Sequence, residues 1–241
     1  MSTVQNVEIK VTIGAAHAAE AARTLGLRQG DAEPRDIWFC EYRNGAGGPA
    51  ALPLLGQGII LRVRRKRGGA DDSTMKVRRR EDEPLLSSWR RELVREEEFR
   101  VEGDWVGSRH MVSASLVAEL PDGDIGEVAT GRRTVASLFT AAQEEVLRAA
   151  SPLPIDLRAL DPLGPVSARK WEPRRHLFEH EFAAEDWQAD ELRFLELSIR
   201  VPRSIAEAAQ VTFEQQIHDL GLDVDEVQET KTRLILEHFA R

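Results

Sequence analysis

Cysteine is almost missing from this chain: Cys40 is the single one in 241 residues. That excludes an internal disulfide and any cysteine-cluster metal centre, and it fits a reducing compartment, so a cytoplasmic setting is expected. No apolar run approaches the roughly 18 residues a membrane-spanning helix needs. The stretch from Met1 to Asn6 has no basic region followed by an apolar one, so no secretory signal is expected. Histidines are few and scattered. His176 and His180 stand four apart, but at a strand end rather than on a helix, which argues against a histidine metal site. Gly68-Gly69 sits in a turn and lacks the strand-to-helix setting of a phosphate loop.

The net charge is −8. The chain as a whole therefore repels nucleic acid and anionic membranes, and neither is expected as a partner. Yet Arg62 to Arg80 is dense in arginine and lysine. Three readings compete for this basic block: a nucleic-acid patch, an enclosed anion site, or an ordinary solvated face.

Periodicity narrows the choice. Val7, Ile9, Val11 and Ile13 alternate with Glu8, Lys10 and Thr12, which predicts a strand with one apolar face. Ala15 to Leu27 has helical spacing, and Asp36 to Tyr42 reads as a strand. Gly58 to Arg67 and Ser73 to Arg80 alternate in the same way and read as a hairpin across Gly68 to Asp72. Further strands are expected at Arg95 to Val101, Val112 to Leu120, Val166 to Phe178 and Leu192 to Val201. Helices are expected at Val135 to Ala150, capped by Thr134, at Ser204 to Leu220, and at Val227 to Phe239. Strand, helix and Leu-Gly-Leu recur in the same order at both ends of the chain, a hint of internal duplication that chance also explains.

On each of these strands one face is apolar and the other heavily charged. Helices pack on apolar strand faces, so the charged faces would point inward into a shared cavity. An interior lined by Lys10, Arg62, Arg64, Lys76, Arg78, Arg80, Arg100, Lys170 and Arg174, with Glu8, Glu96, Glu98, Glu172 and Glu196, must hold water and a charged ligand, because buried unpaired charge is costly. Guanidinium groups grip phosphate oxygens in a fork, and carboxylates beside phosphate suit a hard cation. The competing picture is an open antiparallel sheet with one solvated face.

The segment Asn6-Val7-Glu8-Ile9-Lys10 resembles the Glu-x-Glu-x-Lys motif of the CYTH superfamily, which includes class IV adenylate cyclases, thiamine triphosphatases and inorganic triphosphatases. Leu61-Arg62-Val63-Arg64, Thr74-Met75-Lys76-Val77-Arg78, Arg95 to Glu98, Lys170 to Arg174 and Phe194-Leu195-Glu196-Leu197 are similar to its later strands, in order, over nearly the whole chain. The resemblance implies an α+β fold: a closed antiparallel eight-stranded β-barrel, or tunnel, flanked by helices. It would be a single domain over 1–241 with helices in 204–241 packing on or capping the barrel. It implies a small-molecule triphosphate as substrate and Mg2+ or Mn2+ as cofactor. Glu8, Glu98 and Glu196, with Glu96 as a further candidate, would hold one or two ions. Arg62, Arg64, Lys76, Arg78, Lys170 and Arg174 would bind phosphate, and Lys10 would orient substrate or the attacking water. The activity implied is hydrolysis of tripolyphosphate or of a nucleoside triphosphate, with cyclisation of ATP and non-catalytic binding as alternatives. Asn6 and Ser198 stand where the family carries further carboxylates. The oligomeric state stays open, a homodimer included.

Overall fold

The computed structural model describes residues 4–43, 52–80, 98–174, 177–224, 228 and 230–240, the side chains of 173 and 174 excepted. Among the described residues nine strands close into a barrel. In chain order they are β1 (Asn6–Gly14), β2 (Glu33–Glu41), β3 (Ile59–Lys66), β4 (Asp71–Arg80), β5 (Glu98–Val106), β6 (Arg109–Leu120), β7 (Asp161–Arg174), β8 (Phe182–Ala189) and β9 (Leu192–Pro202). The order around the barrel is β1-β5-β6-β4-β3-β2-β7-β8-β9, closing from β9 back to β1.

Two features depart from the expected eight antiparallel strands. The ninth strand, β8, has the sequence FAAEDWQA, whose alanines and acids carry no clear alternation. The barrel is also mixed, because β1 runs parallel to β5, with Val7 opposite Gly103. A Cβ on Gly103 would meet the Val7 side chain at 2.8 Å, so this seam needs glycine's missing side chain.

The helices are α1 (Ala15–Thr24), α2 (Pro53–Gly56), α3 (Asp124–Ala129), α4 (Ala141–Ala150), α5 (Ala206–Asp219) and α6 (Lys231–Phe239). The single helix expected from 135 to 150 is divided. A 3-10 turn over Val135–Leu138 precedes α4, and the cap is Thr140 rather than Thr134. Thr140 and Gln143 form a reciprocal capping box, satisfying two backbone donors at the helix start. Gln143 is buried and also donates to the carbonyls of Ser73 and Leu116, tying α4 to β4 and β6.

Three apolar clusters hold the barrel. Outside, Val7, Ile9, Val11 and Ile13 of β1 and Leu195, Leu197 and Ile199 of β9 lie under α1 and α5. Also outside, Leu61 and Val63 of β3 and Met75 and Val77 of β4 meet the segment carrying α3 and α4. The third cluster joins Phe39, Val166, Trp187 and Phe194 to Ile235 and Leu236 of α6. Burying one such side chain contributes about 1.5–3 kcal/mol. The repeated Leu-Gly-Leu segments end α1 and α5 alike. Gly26 and Gly221 take φ of +64° and +67°, and Leu27 and Leu222 each donate back to the carbonyl five residues earlier.

Candidate functional site

Alternation along the strands sends Glu8 and Lys10 of β1, Arg62 and Arg64 of β3, Lys76 and Arg78 of β4, and Glu196 of β9 to one cavity of about 580 Å³ inside the barrel. Among the described residues, ten cationic side chains and five carboxylates line it. A chain of net charge −8 thus concentrates positive charge on the inner wall.

Two buried aspartates organise that wall. Asp104, with a side chain only 2% exposed, accepts from Lys10 Nζ at 2.7 Å, Lys76 Nζ at 3.0 Å and Arg78 Nε at 2.8 Å. Burial works to raise its pKa, but Arg78, Lys10 and Lys76 hold it well below the ordinary carboxylate range. Asp72 takes Arg64 Nε at 2.9 Å and Lys66 Nζ at 2.7 Å. Sequence reading placed Asp72 in the turn. It belongs to β4, because the turn is shorter than expected and Gly68, at φ +98°, makes the reversal.

Arg62 is different. Its guanidinium lies between these clusters, and among the described residues its one side-chain hydrogen bond is a 3.4 Å contact to Thr74 Oγ1. Its Nε is buried without an acceptor among the described residues. Burial lowers its pKa to about 9, and neighbouring Arg64 pushes the same way. Lys76 is lowered by burial to about 8, against the pull of Asp104. Both groups gain from an added anion, since each carries charge in a place that disfavours it.

No protein-family model and no curated protein sequence matches the chain. Solved structures do. A candidate adenylate cyclase from Bacillus halodurans is similar at a TM-score of 0.60 and 14% identity, over 97% of this chain and 98% of its own. HpAC1 from Hippeastrum, a candidate adenylyl cyclase that reveals a dominant triphosphatase activity, is similar at a TM-score of 0.61 and 13% identity, over 95% and 94%. The fold is CYTH-like.

Within this CYTH-like barrel the expected phosphate ligands Arg62, Arg64, Lys76, Arg78 and Lys170 line one cavity, together with Lys10, Glu8 and Glu196. Arg100 lines it too. Arg80 is exposed, and Glu172 is 69% exposed beside Lys170, so neither belongs to the inner wall. Glu98 forms an exposed pair with Arg100 and does not line the cavity. Glu96 and the side chain of Arg174 lie outside the described residues.

The expected carboxylates can be tested against a hard cation. Among the described residues no three His, Cys, Asp or Glu side chains gather into a preformed metal site. A Mg2+ ion that arrives with phosphates needs only one or two carboxylates plus phosphate oxygens and water. Glu8 meets that need. It lines the cavity with Asn6 on the same face of β1 and keeps 25% of its side chain exposed. Burial works to raise its pKa, yet Lys10, 2.9 Å away, outweighs this and holds it down to about 2, so it is ionised at neutral pH.

Glu196 is in another situation. It faces Glu185 across the β8–β9 ladder, and one ammonium, Lys231 Nζ from the first residue of α6, binds both. The Lys231–Glu196 distance is 2.7 Å. Lys231 also lies 4.7 Å from the ring of Trp187, whose Nε1–H donates to Glu185. Burial opposes the charge on Lys231, but Glu185 and Glu196 raise its pKa. Sequence reading missed Arg35, Asp104, Glu185 and Lys231. Arg35 shares its strand face with the apolar Ile37 and Phe39, which here turns toward the cavity, so the rule that apolar faces point outward hid it. Lys231, on a helix, carried no strand periodicity to betray it.

Proposed function

We propose that this protein is a metal-dependent hydrolase of inorganic tripolyphosphate or of nucleoside and other organic triphosphates. The observation that carries the reading is the Arg62 guanidinium, its Nε buried and the group without a carboxylate partner, in a wall whose cations outnumber its carboxylates two to one, all among the described residues. A polyanion supplies the missing acceptor and offsets the excess charge.

The chain's residues divide the work. Arg62, Arg64, Lys76, Arg78 and Lys170 hold phosphate oxygens, and the side chain of Arg174 is assigned with them. Arg78 and Lys76 reach the anion from Asp104, so they are oriented before it arrives. Their charge stabilises the oxygens that gain negative charge as the terminal phosphoryl group transfers to water. Lys10, fixed between Glu8 and Asp104, orients the reacting end. Mg2+ or Mn2+, when bound through Glu8, supplies Lewis-acid polarisation of the phosphoryl oxygens. No serine, cysteine or histidine nucleophile is required.

The test is phosphate release from a panel of triphosphates with Mg2+ or Mn2+. Activity that Arg62→Ala and Lys76→Met abolish supports the reading, and activity indifferent to both removes it. Cyclisation of ATP is the second reading, favoured by Asn6 in place of an acid in Asn6-x-Glu8-x-Lys10. Cyclic AMP and pyrophosphate, rather than phosphate, as products of ATP would establish it. Tight binding with no turnover under any metal identifies a polyphosphate binder instead.

A further inference from the structure

We propose that the cavity takes its divalent ion at Glu8 alone, because the Glu185–Glu196 pair already holds a cation of the chain's own, the Lys231 ammonium. This rests on the reading of the cavity as a triphosphate site and assigns its metal stoichiometry.

Two carboxylates directly opposite each other in a sheet repel, and a cation between them relieves that repulsion. Here β8 and β9 place Glu185 opposite Glu196, and the cation is covalently part of α6. An entering metal would have to displace an ammonium that is tethered to the helix and binds both carboxylates. Ile235 and Leu236, on the same helix, are 0% and 2% exposed in the cluster with Phe39 and Phe194, so α6 cannot swing out without opening that cluster. Lys231 would then stay near a dication with its carboxylates taken, an arrangement with a large electrostatic penalty.

Glu8 is held by one ammonium only, Lys10 at 2.9 Å, and keeps 25% of its side chain exposed. When it turns toward an ion, Lys10 keeps its 2.7 Å bond to Asp104 and is not left unpaired. The two locations are also separate. Along the β1–β9 ladder Glu8 faces Arg200 and Glu196 faces Thr12, which sets their backbone positions about 13 Å apart at about 3.3 Å per residue, with the Lys10 ammonium, which both carboxylates stabilise, between them. Between them Lys10 faces Ser198, a row that carries no carboxylate to bridge the two ends.

The experiment is Mn2+ titration followed by electron paramagnetic resonance, with an imido-bridged, non-hydrolysable tripolyphosphate analogue bound. A single Mn2+ per bound analogue is expected in the wild-type protein. Glu8→Gln should weaken it by about 10-fold or more, the scale of loss when a metal's protein environment is disrupted. Glu196→Gln should leave Mn2+ affinity unchanged. Lys231→Met, checked by near-ultraviolet circular dichroism for an intact fold, should admit a second ion. Two ions in the wild-type protein, equal losses from Glu8→Gln and Glu196→Gln, or a folded Lys231→Met still limited to one ion would each overturn the proposal while leaving the triphosphate reading intact. Failure of the analogue to bind at all would overturn both.

Discussion

Asp104→Asn removes the charge that three cations share while keeping the side chain's shape. Asp104 is 2% exposed and receives Lys10, Lys76 and Arg78 at 2.7 to 3.0 Å. Removing one partner of a buried ion pair costs about 3–5 kcal/mol, because the remaining charge stays buried. In a protein of this size each kcal/mol moves the melting temperature by about 2–4 °C, so the variant should melt about 6–20 °C lower. The loss should be conditional. Tripolyphosphate brings negative charge to the same three cations, so a saturating concentration should raise the variant's melting temperature more than the wild type's. Differential scanning calorimetry with and without tripolyphosphate, in metal-free buffer, reads both numbers. If the variant melts with the wild type, or the two gain equally from the ligand, the claim that Asp104 and the anion serve the same cations is wrong.

Arg62→Ala should weaken tripolyphosphate binding by about 10-fold to 150-fold, the equivalent of a charged hydrogen bond at about 1.5–3 kcal/mol. It should not lower the melting temperature of the free protein much, because Arg62 has no ion pair to lose among the described residues. Calorimetric titration and a thermal melt check the two halves. Lys76, lowered by burial to about 8, gives a pH signature with opposite signs. Between about pH 8 and about pH 10 the unfolded chain keeps a proton that the folded chain has released, so Lys76 makes stability rise with pH while anion affinity falls. Lys76→Met should flatten both trends in paired melts and titrations. Gly103→Ala should destabilise the fold by about 1–3 kcal/mol through overpacking against Val7, measurable by urea denaturation.

Period-two alternation made much of the cavity legible. Glu8, Arg62, Lys76 and Glu196 each sit on a strand whose opposite residues are apolar, and all converge as that pattern requires. The misses have separate causes. Ala183, Ala184 and Ala189 gave β8 a composition that does not mark a strand, so the carboxylate opposite Glu196 went unseen. Asp104 follows Gly103 and precedes buried Trp105, in a stretch where the pattern lapsed. The parallel seam was invisible because its cause, the contact between Gly103 and Val7, joins segments far apart in the chain. The departures at Asn6 and Ser198 were readable. Their counterpart, a lysine delivered from α6 to the Glu185–Glu196 pair, was not, since helix periodicity says where a helix is buried and not which cavity its first residue enters.

The pairing of β1 with β9 also has a bearing on biosynthesis. Residues 6 to 14 find their partners at 194 to 202, so the wall that carries Glu8 and Lys10 has no neighbour on that side until the ribosome has made the segment up to residue 202. Contacts so distant in sequence slow folding, and they leave β1 waiting while the intervening segment is made. A prematurely terminated product would lack both the ninth strand and the helix that brings Lys231. Such fragments are expected to be inert toward phosphates and prone to aggregate through the unpaired edge of β1.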